Sequence, residues 1–336
     1  MNKDKTLHII AEAGTNHNGK ISLAKKLVDI AVRVRANSIK FQMINTRGLY
    51  LPGIYEYGHY DIKEVIRLRE KTRFSESQYR ELSEYCVLKN IPVTCSVFDL
   101  DALNLLMKFN PLYIKIASCD LNNIRLLRQV AQAGKKMVLS TGMSTLKEIE
   151  RTLKELDKIG FHDIVLMHCV SLYPALLKQT NLKFIEVLKK NFGFEVGFSD
   201  HTRGCIAACM ALSLGATWFE KHFTLNRKLK GLDHAHALGE KELLQYVSDI
   251  HEARASLLLR KDKISDLENY TKKRARRSLY AAKDMQKGEC LKNEDVLIVR
   301  PENIMQADYI DRIIGKKLKK NVSQYQPFHP RDFKNF

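Results

Sequence analysis

The feature that most constrains the fold is an eightfold alternation of short apolar, β-branched runs with amphipathic segments between residues 7 and 223. The intervening segments carry apolar residues at spacings of three and four, the period of a helix that buries one face. This alternation predicts a parallel sheet, and eight strands are the number that closes a TIM barrel, (β/α)8. An open doubly wound sheet is the alternative fold. The strand candidates are 7–14, 38–43, 91–98, 112–118, 136–141, 163–169, 195–200 and 216–223.

The ends of these strand candidates are polar or charged, whereas their beginnings are apolar. In a barrel the carboxyl ends of all strands converge on one face, where active sites are built. Local turns could explain two or three such residues, but not one at nearly every strand. The residues concerned are Glu12, Lys40, Gln42, Ser96, Lys115, Ser118, Ser140, Thr141, His168, Ser199, Asp200, His201, Glu220 and His222.

The alternation stops after residue 258. We predict a barrel over 1–258, a charged linker with a short helix over 259–275, and a small β-rich domain over 276–336. About 60 residues are marginal for independent stability, so we expect this domain to pack against something, another subunit included. Its strand-like segments are 277–285, 291–301 and 315–322.

The formal net charge is +18, and residues 260–336 hold 19 Lys and Arg against 11 Asp and Glu. Such a surplus fits an anionic small substrate, nucleic acid, or merely a basic surface. No zinc-finger, helix-turn-helix or RNA-binding signature accompanies it, which disfavours nucleic acid. The sequence has no run of roughly 18 apolar residues, no signal peptide, and seven scattered cysteines. It therefore predicts a cytoplasmic protein with no membrane partner.

Two histidines, His201 and His222, lie at the ends of the seventh and eighth strand candidates. Two imidazoles at neighbouring strand ends can hold one divalent ion and leave positions open for water and a carbonyl oxygen. A single histidine is more often a hydrogen-bonded core residue, so the barrel placement is what favours a metal. Nearby acidic candidates for ligand, base or substrate contact are Asp200, Glu220 and Asp233. Three further histidines, individually uninformative, are His168, His234 and His236.

Two lysines, Lys40 and Lys115, end the second and fourth strand candidates, with Ser96 and Ser118 nearby. Ammonium groups beside hydroxyls and backbone amides suit an anion such as phosphate or carboxylate. For either lysine alone, a side chain that simply reaches solvent is an equally good explanation.

Eight motifs resemble, in order and spacing, the sialic acid synthase family, which makes N-acetylneuraminate, legionaminate and pseudaminate. Residues 276–301 resemble the C-terminal antifreeze-like (SAF) domain of that family. The motifs are AEAGTNHNG (11–19), KFQ (40–42), KIAS (115–118), LSTGM (139–143), HCVSLYP (168–174), GFSDHTRG (197–204), EKHFT (220–224) and GLDHAHAL (231–238).

The resemblance implies a condensation. Carbon 3 of phosphoenolpyruvate attacks the aldehyde of an open-chain N-acylated amino sugar, N-acetylmannosamine or a 2,4-diacetamido-trideoxyhexose. Water adds at carbon 2, and phosphate leaves by carbon–oxygen cleavage. The resemblance also implies a divalent metal on His201 and His222, manganese in the first place, with magnesium or cobalt as alternatives.

The same resemblance assigns roles to individual residues. Glu12 would be the acid/base and orienting carboxylate. Arg277, in the SAF domain, would contact the N-acyl group in the barrel of a partner subunit, within a domain-swapped homodimer. The residues around phosphoenolpyruvate would be Lys40, Ser96, Lys115, Ser118, Ser171 and Ser199. Those facing the acceptor sugar would be Gln42, Tyr173, Glu220 and Asp233.

Some positions depart from the usual family pattern. Val97 replaces a frequent proline, Ala237 replaces a hydroxyl near the acceptor, and residues 44–70 do not match the usual sequence well. Three alternatives remain: a related barrel synthase that uses a phosphorylated sugar, a metal-dependent barrel hydrolase, and a protein that binds nucleic acid or polysaccharide. The first would need an extra phosphate site and no SAF domain.

Overall fold

The structure is a computed structural model that describes residues 7–51, 61–257 and 264–336. The chain divides into two compact units, Met1–Leu257 and Leu258–Phe336. In the first unit eight parallel strands form a closed barrel, so the predicted TIM barrel is confirmed and the open sheet is excluded. The strands are β1 (His8–Gly14), β2 (Ser38–Met43), β3 (Val93–Val97), β4 (Tyr113–Ile116), β5 (Lys136–Ser140), β6 (Ile164–Cys169), β7 (Glu195–Asp200) and β8 (Trp218–His222).

Helices connect the strands and pack their apolar faces against the outside of the barrel. At the start of the helix at Glu76–Leu88, the Ser75 hydroxyl accepts from the Gln78 N–H, and the Gln78 side chain accepts from the Ser75 N–H. Such a capping box contributes about 1 kcal/mol. Within the described ranges no helix is long and apolar enough to span a bilayer. The helices of this unit are α1 (Ile21–Arg33), α2 (Thr46–Leu49), α3 (Ile62–Thr72), α4 (Glu76–Leu88), α5 (Leu100–Met107), α6 (Ile124–Gln132), α7 (Leu146–Asp157), α8 (Phe184–Phe192), α9 (Ile206–Ser213) and α10 (Glu240–Ser256).

The inside of the barrel changes from apolar to polar along the strands. A buried cluster at the amino end contains Ile10, Tyr113 and Trp218. Alternate residues of a strand point to the same face, so the residue two positions further along each of these strands also points inward. These residues are Glu12, Lys115 and Glu220, and all of them are buried.

Strand register brings the polar ends together. Glu12 on β1 lies opposite Lys40 on β2 and His222 on β8. Further round the barrel, Ser96 on β3 lies opposite Lys115 on β4. The predicted convergence of polar strand ends is therefore a property of the parallel register.

The second unit has its own buried core, formed by residues such as Leu279, Leu318 and Phe328. Only two of the three predicted strand-like segments pair as a sheet, and 315–322 contributes isolated bridges instead. The predicted domain limits stay a prediction, because the 258/259 boundary lies outside the described residues. The elements are α11 (Asp266–Ala275), β9 (Ser278–Ala281), β10 (Val296–Val299) and α12 (Ile310–Ile313).

Candidate functional site

A buried lysine joins two carboxylates at the carboxyl end of the barrel. The Lys40 Nζ lies 2.7 Å from the Glu12 Oε2 and 3.6 Å from the Glu220 Oε1. It also donates to the Ser96 hydroxyl at 2.9 Å. A single ammonium group thus balances two carboxylates that burial alone would disfavour as anions.

The two carboxylates differ in proton affinity. Burial raises the pKa of Glu12 to about 7 because it outweighs the Lys40 ammonium group, which lowers this pKa, and the charge of Glu220 adds a smaller rise. Burial also acts to raise the pKa of Glu220, but the Lys40 and Lys115 ammonium groups outweigh it and lower that pKa below its usual range. Glu12 is therefore the carboxyl group that can exchange a proton near neutral pH.

A second buried ammonium group lies two strands further round the barrel, on β4. The Lys115 Nζ donates to the Ser140 hydroxyl at 2.6 Å and to the Ile116 carbonyl at 2.8 Å. Burial lowers its pKa, and Lys40 lowers it further. An anion bound between the two lysines would offset both effects.

Gly142 lets three polar side chains approach the backbone closely. Its N–H donates to the Ser118 hydroxyl at 3.0 Å. A Cβ on Gly142 would lie 2.6 Å from the Ser171 Oγ, 2.7 Å from the Cys169 Sγ and 2.9 Å from the Ser118 Oγ. The two hydroxyls and the thiol therefore converge on Gly142 so closely that any larger residue would overlap them.

The two predicted metal ligands lie near each other, with ring centroids 5.9 Å apart. Burial lowers the pKa of His201 to about 3 and that of His222 to about 4, so both rings are neutral, as a metal ligand must be. The His201 Nδ1 lies 2.7 Å from the Val170 carbonyl, to which it donates in the neutral ring, so its Nε2 is the unprotonated nitrogen and lies 3.3 Å from the Ser199 hydroxyl. The buried His222 Nδ1 has no hydrogen-bond partner in the described part of the chain. This donor set fits a divalent ion.

Tyr173 and His236 complete an aromatic cluster around these histidines. The Tyr173 ring lies 4.1 Å from the His201 ring and 5.0 Å from the His236 ring. The His222 and His236 rings are 5.4 Å apart. Among the described residues no group of three His, Cys, Asp or Glu side chains could hold a metal, so an ion on the two histidines would need water or substrate as further ligands.

Asp233 and Gln42 converge next to Glu12. The Gln42 amide donates to the Glu12 Oε1 at 2.9 Å. A Cβ on Gly14 would lie 2.9 Å from the Asp233 Oδ2 and 3.4 Å from the Gln42 Nε2, so only glycine permits this approach.

The sequence matches two protein-family models, one after the other along the chain. The NeuB family matches residues 27–261, and the SAF domain matches residues 276–334. The chain belongs to the NeuB family. The family match spans the barrel strands from β2 to β8, and the SAF match spans the paired strands of the second unit.

Named relatives of this NeuB family member make different products. The chain is 36% identical over 328 residues to the N,N'-diacetyllegionaminic acid synthase of Campylobacter jejuni, covering 95% of this chain and 98% of the relative. It is 31% identical over 341 residues to a pseudaminic acid synthase of Campylobacter jejuni, covering 99% and 98%. The crystal structure of an N-acetylneuraminic acid synthetase from Leptospira borgpetersenii with citrate has 34% identity and a TM-score of 0.70, covering 79% of this chain and 90% of that one.

The fold gathers most of the residues predicted for the site of this family member at one face of the barrel. Asp200 is an exception and corrects one expectation. Its carboxylate pairs with Lys221 at 2.9 Å and accepts from the Thr202 N–H at 2.8 Å. It lies next to the inward-facing Ser199, so strand alternation directs it away from the barrel interior. Arg277 lies in the second unit, where it is exposed just before β9.

Sequence reasoning gave no site role to four residues that the fold brings to this face: Ser140, Gly142, His236 and Arg69. Gly142 lies within the LSTGM motif, and Ser140 is a polar strand end, so the sequence pattern could have identified both as site residues. His236 sits in a short 3₁₀ helix after β8, and Arg69 sits on α3, so only tertiary structure places them at this face.

Proposed function

We propose that this protein condenses phosphoenolpyruvate with an N-acylated amino sugar and water to give phosphate and a sialic-acid-type nine-carbon sugar acid. It is thus a transferase that forms a carbon–carbon bond. The observation that carries the proposal is the NeuB match over 27–261. The SAF match at 276–334, together with relatives named as legionaminic and pseudaminic acid synthases, favours this reaction over that of a related barrel synthase acting on a phosphorylated sugar.

The two buried lysines suit phosphoenolpyruvate. Lys40 and Lys115 would hold its anionic groups, and a dianionic phosphate would restore the pKa that burial lowers at Lys115. Hydroxyls that line the space between strand ends would accept or donate the remaining hydrogen bonds. They belong to Ser96, Ser118, Ser171 and Ser199.

Glu12 suits proton transfer at the acceptor. Its pKa of about 7 lets it take or release a proton at neutral pH, and the Gln42 amide holds one of its oxygens. The residues that would face the open-chain sugar around it are Gln42, Tyr173, Glu220 and Asp233.

His201 and His222 would hold a divalent metal ion, manganese first, with magnesium or cobalt as alternatives. The family is metal-dependent in general. When bound, such an ion supplies Lewis-acid polarisation of the acceptor aldehyde. The protein's own part is to keep both imidazoles neutral by burial and to orient His201 through the Val170 carbonyl.

The proposal is tested by phosphate release from phosphoenolpyruvate in the presence of a small panel of acceptors. We expect release only when an N-acylated amino sugar and a divalent metal are both present. N-acetylmannosamine and a 2,4-diacetamido-trideoxyhexose are the two acceptors that the panel must contain. Release without any sugar, or only with a phosphorylated sugar that lacks an N-acyl group, would contradict the proposal.

The Gly142→Ala variant should raise the KM for phosphoenolpyruvate about tenfold or more. The added methyl group would overlap the Ser171 Oγ, which lies 2.6 Å from the Cβ position. The KM for the acceptor should change far less. Gly239→Ala is the matched control, since its Cβ would meet nothing closer than 3.5 Å. Equal changes in both KM values would argue against a phosphoenolpyruvate site at Gly142.

We also propose that the enzyme is a domain-swapped homodimer in which Arg277 contacts the N-acyl group in the barrel of its partner. The Arg277→Ala variant should then weaken the acceptor far more than phosphoenolpyruvate, because a guanidinium bound to the N-acyl carbonyl touches only the acceptor. Steady-state kinetics with each substrate varied would measure this. The exposed Arg331→Ala change in the same unit is the control, and equal losses for both substrates would rule out this role for Arg277.

A further inference from the structure

The loop after β8, residues 224–238, carries Asp233, which the proposed function places beside the acceptor sugar. The two ends of the loop are joined, because the Thr224 N–H donates to the Leu238 carbonyl at 2.8 Å. The middle of the loop has much less support. Within the described residues, none of the backbone N–H groups of 230–233 donates a hydrogen bond. The position of Asp233 therefore depends on something other than its own backbone.

The Asp233 carboxylate does not provide that support. Its Oδ2 is buried and has no hydrogen-bond partner in the described part of the chain. The same oxygen would lie 2.9 Å from a Cβ on Gly14, so it points toward the corner of the barrel where Glu12 lies. Burying a carboxylate oxygen without a partner is costly, and this suits an oxygen that binds a hydroxyl group of a ligand.

The next residue, His234, does have anchors. Its ring is fully buried, with the Nδ1 2.6 Å from the Thr224 hydroxyl and the Nε2 3.1 Å from the Asn18 Oδ1. The Asn18 oxygen can only accept, so the Nε2 donates and the Nδ1 accepts from Thr224. Burial lowers the pKa of His234 and outweighs the opposing charge of Asp233, in agreement with a neutral ring. One side chain thus ties the middle of the loop to its own base and to the loop after β1.

The surrounding backbone fits closely around this ring. A Cβ on Gly231 would lie 2.6 Å from the His234 Cδ2 and 3.2 Å from the Asn18 Oδ1, so only glycine allows the approach. Asn18 has a φ of 49°, a left-handed conformation that asparagine adopts more readily than most residues. The Asn16 amide joins the same two segments a second time, since it donates to the Phe223 carbonyl at 2.8 Å.

We propose that His234 is a positioning residue, which fixes the loop after β8 and thereby holds the Asp233 carboxylate beside the acceptor sugar. It acts through Asp233, because a fully buried ring cannot touch a substrate. Its partners lie 10 and 216 residues away along the chain, so the sequence alone did not distinguish it from other histidines. The role of Asp233 rests on the proposed function, whereas the anchoring of the loop does not.

Hydrogen exchange followed by mass spectrometry tests the anchor without any catalytic assay. In His234→Phe we expect the hydrogen-bonded amides in peptides that cover 224–238 to exchange about tenfold faster or more, because both side-chain hydrogen bonds are lost while the ring volume is kept. Thr224→Val removes one of the two bonds and should give a smaller acceleration. Peptides from the barrel strands should be unchanged. Unchanged exchange of the loop in both variants would overturn the proposal.

Steady-state kinetics with each substrate varied test the link to Asp233. His234→Phe should raise the KM for the acceptor about tenfold, with the KM for phosphoenolpyruvate within about twofold of wild type. His234→Gln should recover part of the loss, because its NH2 group can still donate to Asn18. In an Asp233→Ala background, His234→Phe should have little further effect. Equal changes in both KM values, equal losses in His234→Phe and His234→Gln, or additive losses would each overturn the proposal.

His8→Phe is the matched control. His8 is a half-buried histidine at the amino end of the barrel, where its Nε2 lies 2.9 Å from the Ser38 hydroxyl. Its replacement should leave both KM values unchanged, and an equal rise in the acceptor KM would count against His234. A thermal melt shows whether each variant is folded, and Thr224→Val carries the test if His234→Phe is not. A wild-type enzyme inactive with every acceptor would instead overturn the proposed function, and hydrogen exchange would still decide whether His234 anchors the loop.

Discussion

The Glu12→Gln variant is expected to lower kcat by about 10² to 10⁴-fold, the range that a positioned acid or base contributes. Glutamine keeps the size of the side chain and can still accept from Lys40, but it cannot take up or release a proton at this site. Phosphate release under saturating phosphoenolpyruvate, acceptor and metal measures the loss. The exposed Glu186→Gln change is the control, and a Glu12→Gln variant within about twofold of wild type would contradict the acid/base role.

The activity of the wild-type enzyme should also depend on pH, because the protonation state of Glu12 does. The pKa of Glu12 is raised to about 7, so the carboxylate becomes protonated as the pH falls through that value. If the carboxylate is the working form, kcat/KM for the acceptor falls on the acid side of about pH 7. This limb should be absent in Glu12→Gln. A wild-type profile that is flat through this range would show that Glu12 does not limit the rate.

The double variant His201→Ala, His222→Ala is expected to lose activity by about 10³-fold or more, because several kcal/mol of Lewis-acid stabilisation go with the metal. Manganese titration followed by electron paramagnetic resonance should show loss of tight binding, independently of activity. The control is His251→Ala, an exposed histidine on α10. Full activity of the double variant after chelation would show that these histidines do not hold a required metal.

The sequence was sufficient to predict the barrel. Apolar residues repeat at a different spacing in strands and in helices, so the eight apolar runs could be distinguished from the segments between them. Each of these runs forms a strand of the barrel. In the second unit the apolar pattern predicted the strands less well. Short strands in a small domain pair only where side-chain packing permits. Residues 315–322 are strand-like in sequence but form isolated bridges.

Polar strand ends were also readable from the sequence, since parallel register carries every strand end to one face. Glu12 and Lys40 end neighbouring strand candidates, and they lie opposite each other on adjacent strands. The sequence made Asp200 a candidate site residue, although strand alternation alone would have directed it away from the barrel interior. Ser199 and Glu220 point inward as register partners, so strand alternation turns Asp200 outward to Lys221.

Only the tertiary structure determines the pKa values of the carboxyl groups that surround Lys40. The sequence shows that Glu12 and Glu220 end strands, but it cannot show that one buried ammonium group lies 2.7 Å from the first and 3.6 Å from the second. Glu12 is influenced by one ammonium group, Lys40, whereas Glu220 is influenced by two, Lys40 and Lys115, and this difference separates the pKa values of two otherwise identical groups. Arg69 was invisible for the same reason, since a side chain from a helix reaches Gln42 only after the chain folds. Local patterns determine which residues point inward, whereas electrostatics depends on distances that the whole fold sets.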